Sequence, residues 1–245
     1  MSTGYILETH NLKKKFKDTI AVDSINVAIK DKSIYGLIGN NGAGKTTLLK
    51  LIFGMIKPTE GEINFYDNNV KVENKSFFSS IGSLIESPGL MLNMSAKDNI
   101  KAKCLCLGYK YSKSEIVELL KQVGLEAAMN KRAKDYSLGM KQRLGIALAL
   151  VGNPKLLVLD EPINGLDPEG IMDIRNLLLK LNKEKNITII ISSHLLDELS
   201  KIATDFCIIH KGNAILQKTK EEFIKESNGI PIDEYYLKIV RGEKL

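Results

Sequence analysis

Cysteine is scarce in this chain: Cys104, Cys106 and Cys207 are the only three in 245 residues. Their spacing matches no metal or redox motif, and an odd number makes a poor disulfide framework. A reducing compartment is the expectation. Long apolar runs are missing too, since nothing approaches the roughly 20 residues needed to span a bilayer. The nearest stretch, Leu144 to Leu159, is broken by Gly152-Asn153-Pro154-Lys155. Met1 to Tyr5 shows no basic region leading into an apolar one, so no secretory signal is expected there. A membrane role would therefore need another chain to supply the membrane part. Nor is one charge strongly in excess: the net charge is +6, spread along the chain. The densest basic cluster, Lys13-Lys14-Lys15-Phe16-Lys17, is short and reads as a solvated face, so no nucleic-acid partner is expected.

What is present is an ordinary globular composition, 44% apolar and 26% charged, in a chain long enough for one substantial core and a smaller lobe. Its organising stretch is Gly39-Asn40-Asn41-Gly42-Ala43-Gly44-Lys45-Thr46-Thr47. This is G-x-x-x-x-G-K-T, a loop that wraps nucleotide phosphates. Glycines allow positive φ and a close backbone approach to oxygen atoms. Successive N–H groups and the following helix N-terminus then face the anion. Lys45 adds a charge for the β- and γ-phosphates, and the Thr46 hydroxyl is a ligand for Mg²⁺. Context supports the match. Ser33 to Ile38 is a short apolar run of strand type, and Leu48, Leu49, Ile52 and Phe53 fall at helical spacing within Thr46–Met55.

Along the rest of the chain, Tyr5 to Lys30 reads as two strands, with Ile25, Val27 and Ile29 alternating. Phe16 is either a minor core aromatic or a face for stacking adenine, with Val22 near the ribose. Gly61–Tyr66 and Val70–Val72 flank a hairpin turn, and Ile81–Ile85 is a further strand. Ser95 to Leu150 turns helical, with Ile116, Leu119, Leu120 and Val123 on one face and Gly124 ending that helix. Lys155 to Pro162 is an apolar strand that ends in Asp160-Glu161. Neighbouring strand side chains point to opposite faces, so the two acids have different tasks. One anchors Mg²⁺ and the other orients or deprotonates water. Asp167 is placed to cap the helix that starts at Pro168. His194 follows a buried strand at the edge where ligands of open α/β sheets collect, and is a candidate γ-phosphate contact. The tail beyond Leu216 suggests no role.

As an ordered set these residues resemble the nucleotide-binding subunit of an ABC transporter. The decisive addition is Tyr136-Ser137-Leu138-Gly139-Met140-Lys141-Gln142-Arg143-Leu144, similar to the family's signature segment. The resemblance implies an α/β fold: a P-loop NTPase core with an N-terminal antiparallel β subdomain and an inserted α-helical subdomain. Residues 1–218 would form one nucleotide-binding domain, with the helical part at about 87–150, and 219–245 would be a tail. By the same resemblance Phe16 stacks adenine, Asp160 attends Mg²⁺, Glu161 is the general base and His194 the γ-phosphate switch. Ser137 and Gly139 would meet the ATP of a second subunit, with Asp167 in the contact loop between them. ATP and Mg²⁺ are the implied cofactors. A membrane permease and a second nucleotide-binding subunit are the implied partners, at the inner face of the cell membrane.

Two departures from the family pattern stand out. Leu138 and Met140 occupy signature positions where Gly and Gln are usual, and some loss of affinity in the ATP sandwich would follow. Glu86 stands where a Mg²⁺- and water-sensing Gln is usual, which makes it a candidate metal ligand. Together with Gly145-Ile146-Ala147-Leu148-Ala149, the departures resemble the ATPases of exporters that protect Gram-positive bacteria against bacitracin and lantibiotics. An importer ATPase, a non-transport ABC ATPase and an ATP-binding regulatory module are the alternatives.

Overall fold

A computed structural model describes residues 4–242. Met1–Thr3, part of the signal-peptide reading, and the last three residues of the tail lie outside the described residues. The chain opens with β1 (Tyr5–Phe16), β2 (Thr19–Ile25), β3 (Ala28–Lys30) and β4 (Ile34–Ile38), and the phosphate loop leads into α1 (Lys45–Ile52). The hairpin β5 (Glu60–Asp67) and β6 (Val70–Val72), the short α2 (Asn74–Phe77) and β7 (Ile81–Leu84) follow. A helical lobe carries α3 (Ala96–Cys106), α4 (Lys113–Gln122) and α5 (Leu138–Leu150). Then come β8 (Leu156–Asp160), α6 (Pro168–Lys185), β9 (Thr188–Ser193), α7 (Leu196–Ser200), β10 (Asp205–His210) and β11 (Asn213–Thr219). The tail forms α8 (Lys220–Ser227) and α9 (Ile232–Arg241).

Two sheets result. One is antiparallel, ordered β2-β1-β5-β6 with β3 also on β1. The other is ordered β11-β10-β4-β9-β8-β7 and is parallel except at the β11 edge. Strands β4, β8 and β9 are buried along their whole length, which is why they read as unbroken apolar runs. Their side chains sort by parity into two cores. Tyr35, Leu37, Leu156, Val158 and Ile190 pack toward α1 and the antiparallel sheet. Ile34, Ile38, Leu157, Leu159, Ile189 and Ile191 pack toward the helical lobe, α6 and the tail. Helix α1 is thus enclosed between the sheets through Leu48, Leu49, Leu51 and Ile52. Close packing of the lobe depends on Gly82 of β7, where a Cβ would lie 2.0 Å from the Ala149 carbonyl oxygen.

Tyr5–Lys30 folds as three strands where two are expected. β2 pairs with the Leu12–Phe16 half of β1, and β3 with the Tyr5–Glu8 half. At the crossing Thr9 replaces the missing ladder bonds: its hydroxyl donates to the Ile25 carbonyl and accepts the Val27 N–H, each at 2.9 Å. The alternating Ile25, Val27 and Ile29 therefore span two strands, and all three are buried. The tail, unassigned from sequence, is docked by aromatics. Phe206 of β10, Phe223 of α8 and Tyr235 of α9 are fully buried, with successive ring centroids 5.3 and 5.0 Å apart.

The cysteines are spread through this packing. Cys104 and Cys207 are buried and Cys106 is exposed. Burial raises the thiol of Cys104 and pushes that of Cys207 up to about 12. A raised thiol pKa removes the reactive thiolate at ordinary pH. At pH 8 a thiol reagent is expected to modify Cys106 alone in the native chain, and all three after denaturation. Rapid native labelling of Cys207, located by mass spectrometry, would contradict the packing.

Candidate active site

The phosphate loop leaves β4 and turns into α1 at Gly44, which sits at φ 109°. A Cβ there would lie 2.3 Å from the Ala21 carbonyl oxygen, so the position demands glycine. The loop is braced from outside. Gly212, in the β10–β11 turn, donates its N–H to the Ala43 carbonyl at 2.9 Å and accepts from the Asp23 N–H at 2.8 Å. Residues 40–47 line a cavity of about 210 Å³ with Ala21 and Glu161.

Lys45 opens α1, and its side chain is only 5% exposed. The ammonium donates to the carbonyls of Gly39 at 2.7 Å and Asn40 at 3.3 Å, and lies 3.1 Å from Glu161 Oε1. Next to it the Thr46 hydroxyl donates to Asp160 Oδ2 at 2.8 Å. Asp160 is the buried last residue of β8. Glu161 follows at φ 48°, so the chain has left the strand when it presents the second carboxylate. Its Oε2 lies 2.8 Å from Nδ1 of His194, one residue beyond β9. The two acids thus have separate side-chain partners; both are presented at the C-terminal end of β8, and His194 comes from the same edge of the neighbouring parallel strand β9.

Ser192, to which sequence alone assigned no task, joins these parts. Its hydroxyl donates to Asp160 Oδ1 at 2.6 Å and accepts the Glu161 N–H at 2.9 Å. It is fully buried. A serine at a strand end carries no sequence signal beyond its position beside His194.

Other candidates lie elsewhere. Phe16, at the end of β1, is half exposed, with Lys14 Nζ 5.1 Å from its ring centroid. Val22, expected near a ribose, is fully buried between the sheets because its register turns it inward; its neighbour Ala21 lines the loop cavity instead. Glu86, considered as a metal ligand, is paired with Lys50 Nζ at 2.5 Å rather than with the Thr46–Asp160 oxygens. Ser137 caps α5 by accepting the Met140 N–H, and Asp167 caps α6 by accepting the Gly170 N–H. Ser137, Leu138, Gly139 and Asp167 line a second cavity of about 400 Å³, which shares no residue with the loop cavity. Leu138 is half exposed over the Gly165 turn, while Met140 is tucked against the core.

Replacing Ser192 by alanine would strand the Glu161 N–H and one Asp160 oxygen. The expected cost is about 1–3 kcal/mol of stability, by the usual penalty for buried polar groups left unpaired. Catalytic turnover should fall as well, because both carboxylates lose their positioning. Chemical denaturation and steady-state assays check this, and a wild-type midpoint with wild-type turnover would refute it.

With this geometry in view, the chain can be set beside known proteins. A model of the family described as ABC transporter matches residues 22–164. The bacitracin transport ATP-binding protein BcrA of Enterococcus faecalis is 43% identical over 227 residues, covering 93% of this chain and 73% of that protein. The lantibiotic transport ATP-binding protein SrtF of Streptococcus pyogenes is 42% identical over 213 residues, covering 87% of this chain and 90% of that protein. Among solved structures, cbiO1 from Clostridium perfringens, part of the ABC transporter complex cbiONQ, superposes with a TM-score of 0.78 at 32% identity over 96% of this chain and 98% of that one. A dimeric bacterial ABC transporter cassette superposes at 0.77 with 27% identity, covering 88% and 99%. The chain belongs to the ABC transporter family, as an ATP-binding and ATP-hydrolysing subunit.

Proposed function

We propose that this subunit powers the export of an antimicrobial peptide, of bacitracin or lantibiotic type, through a separate membrane permease. The observation that carries the reading is that relatives named for both peptide classes align with most of this chain at 42–43% identity. Among the described residues no helix is long and apolar enough to cross a membrane. In this reading the subunit is peripheral, at the cytoplasmic face of the cell membrane, and the permease holds it there and chooses the cargo. A cleft of about 400 Å³ between the lobe and the parallel sheet suits a docking segment of that permease. Met55, Ile85, Pro88, Lys103 and Leu107 line it, and the Glu86 loop runs along its wall.

Two separate cavities, together with the dimeric cassette among the similar structures, support a reading of two chains per working unit. The N-termini of α5 and α6 converge on the second cavity, and helix N-termini favour anions. ATP seated on one phosphate loop would be covered by Ser137 and Gly139 of another copy. Adenine would stack on Phe16. Leu138 stands beside that contact, consistent with a weakened sandwich.

Thr46 and Asp160 are the residues that would hold Mg²⁺. Their two oxygen atoms suit an ion that keeps most of its waters and leans on phosphate. When bound, Mg²⁺ offsets the charge on the β- and γ-phosphates. The γ-phosphate competes with Glu161 for the Lys45 ammonium. Released, the Glu161 carboxylate orients and deprotonates the attacking water, while Lys45 and His194 stabilise the charge that develops. Glu86, paired with Lys50 of α1 and flanked by the cleft-lining residues Ile85 and Ser87, would couple this chemistry to the permease.

Two outcomes test the proposal. Host cells carrying Lys45→Ala should become sensitive to one peptide class in a panel of bacitracin and lantibiotics; an unchanged panel, with the purified wild-type chain active as an ATPase, would favour an importer or a non-transport ATPase. Glu161→Gln should lower turnover by about 10²–10⁴, the range for loss of a general base, and should trap an ATP-bound dimer. A monomer in gel filtration with excess MgATP would count against the paired mechanism.

A further inference from the structure

We propose that Tyr236, in the tail helix α9, is a positioning residue for the phosphate loop and tunes the affinity for ATP. Its hydroxyl donates to Asn40 Oδ1 at 3.5 Å, reaching 196 residues along the chain to the second position of the loop. Asn40 is the joint on which the loop closes. Its carbonyl oxygen accepts the Ala43 N–H at 3.1 Å and the Lys45 ammonium at 3.3 Å. Asn40 is otherwise exposed, so a contact on its side chain restrains a residue that the core does not hold.

The helix that carries Tyr236 is itself firmly seated. Tyr235, the preceding residue, is fully buried against Phe223, and its hydroxyl donates to Glu226 Oε2 at 3.2 Å. Two consecutive tyrosines point from one helix in different directions, one anchoring α9 and the other meeting the loop. Helix α8 is fixed in turn by a capping box, in which Thr219 and Glu222 satisfy each other's backbone N–H groups. Lys218 and Glu226 add an ion pair between β11 and α8. Helix α9 also packs against α7, the helix that follows His194. The tail therefore bridges the loop that receives the phosphates and the segment that carries the histidine. Burial of the Tyr236 ring raises its phenol pKa, so the hydroxyl stays protonated and able to donate at neutral pH.

The inference is tested with the full chain. Tyr236→Phe keeps the ring and removes only the donor. It should weaken MgATP binding, and raise KM, by about threefold, the low end of what a hydrogen bond contributes, because 3.5 Å is a long contact between exposed groups. Turnover at saturating ATP should stay within about twofold, since a positioning contact on the resting loop acts on binding. Tyr235→Phe loses a hydroxyl from the same helix that faces Glu226, and should leave KM unchanged. In an Asn40→Ala background the Tyr236→Phe effect should vanish. The proposal is overturned if Tyr236→Phe leaves KM within about twofold of wild type, or if the shift persists without Asn40. It is equally overturned if both tyrosine variants raise KM alike, since that outcome makes the effect one of helix stability.

Discussion

A buried ammonium is the constraint on which the site rests. Lys45 sits at the start of α1 with little access to water, and a charge there is tolerated only with partners around it. Two loop carbonyls and Glu161 meet that need. Glu161 can do so because it lies past the end of β8 in a left-handed conformation, which aims its carboxylate at the loop rather than along the sheet. Ser192 holds its N–H and His194 meets its other oxygen. The ends of three adjacent parallel strands, β4, β9 and β8, are thereby linked through side chains as well as through the ladder. In the proposed mechanism an arriving phosphate, which carries more charge than one carboxylate, would displace Glu161 from Lys45 on electrostatic grounds. The same event would satisfy the lysine and free Glu161 for its proposed role as the base.

The elements readable from sequence were those whose chemistry is local. The glycine-rich loop, the apolar strand ending at Asp160-Glu161 and the Asp167-Pro168 helix start each declare themselves within a few residues. The α/β architecture was implied by the family resemblance, and the fully buried strands β4, β8 and β9 agree with it. Residues whose meaning is set by a distant partner were less legible. Ser192 matters because Asp160 lies 32 residues away. Glu86 finds its ion pair 36 residues away, on a helix whose exposed face gave no warning. The reading that set Val22 near a ribose meets a fully buried side chain, since β1 pairs with β2 through bulges whose register no local spacing reveals. The tail carries one local signal, the Thr219–Glu222 box, but its anchor Phe223 packs on Phe206 of β10 and Tyr235 on Phe223 in turn, contacts that no spacing rule reaches.

The arrangement also distinguishes three helix N-termini that are similar in physics. The N-terminus of α1 is enclosed between the sheets and its loop is braced by Gly212, Asp23 and the tail, so it offers a fixed seat. Those of α5 and α6 open on a separate, wider cavity at the lobe, with the half-exposed Leu138 and the arginine–aspartate pair Arg143–Asp173 at its wall. An anion in the first seat is held on one side by backbone and lysine and left uncovered on the other. An anion at the second would meet two dipoles but no buried lysine. Neither half on its own surrounds a triphosphate. In the proposed pair, the second cavity of one copy would lie over the first of another, give the phosphate donors on both sides, and make closure depend on the γ-phosphate that both share. Hydrolysis would remove that shared group, so the geometry proposed to assemble the pair would also release it.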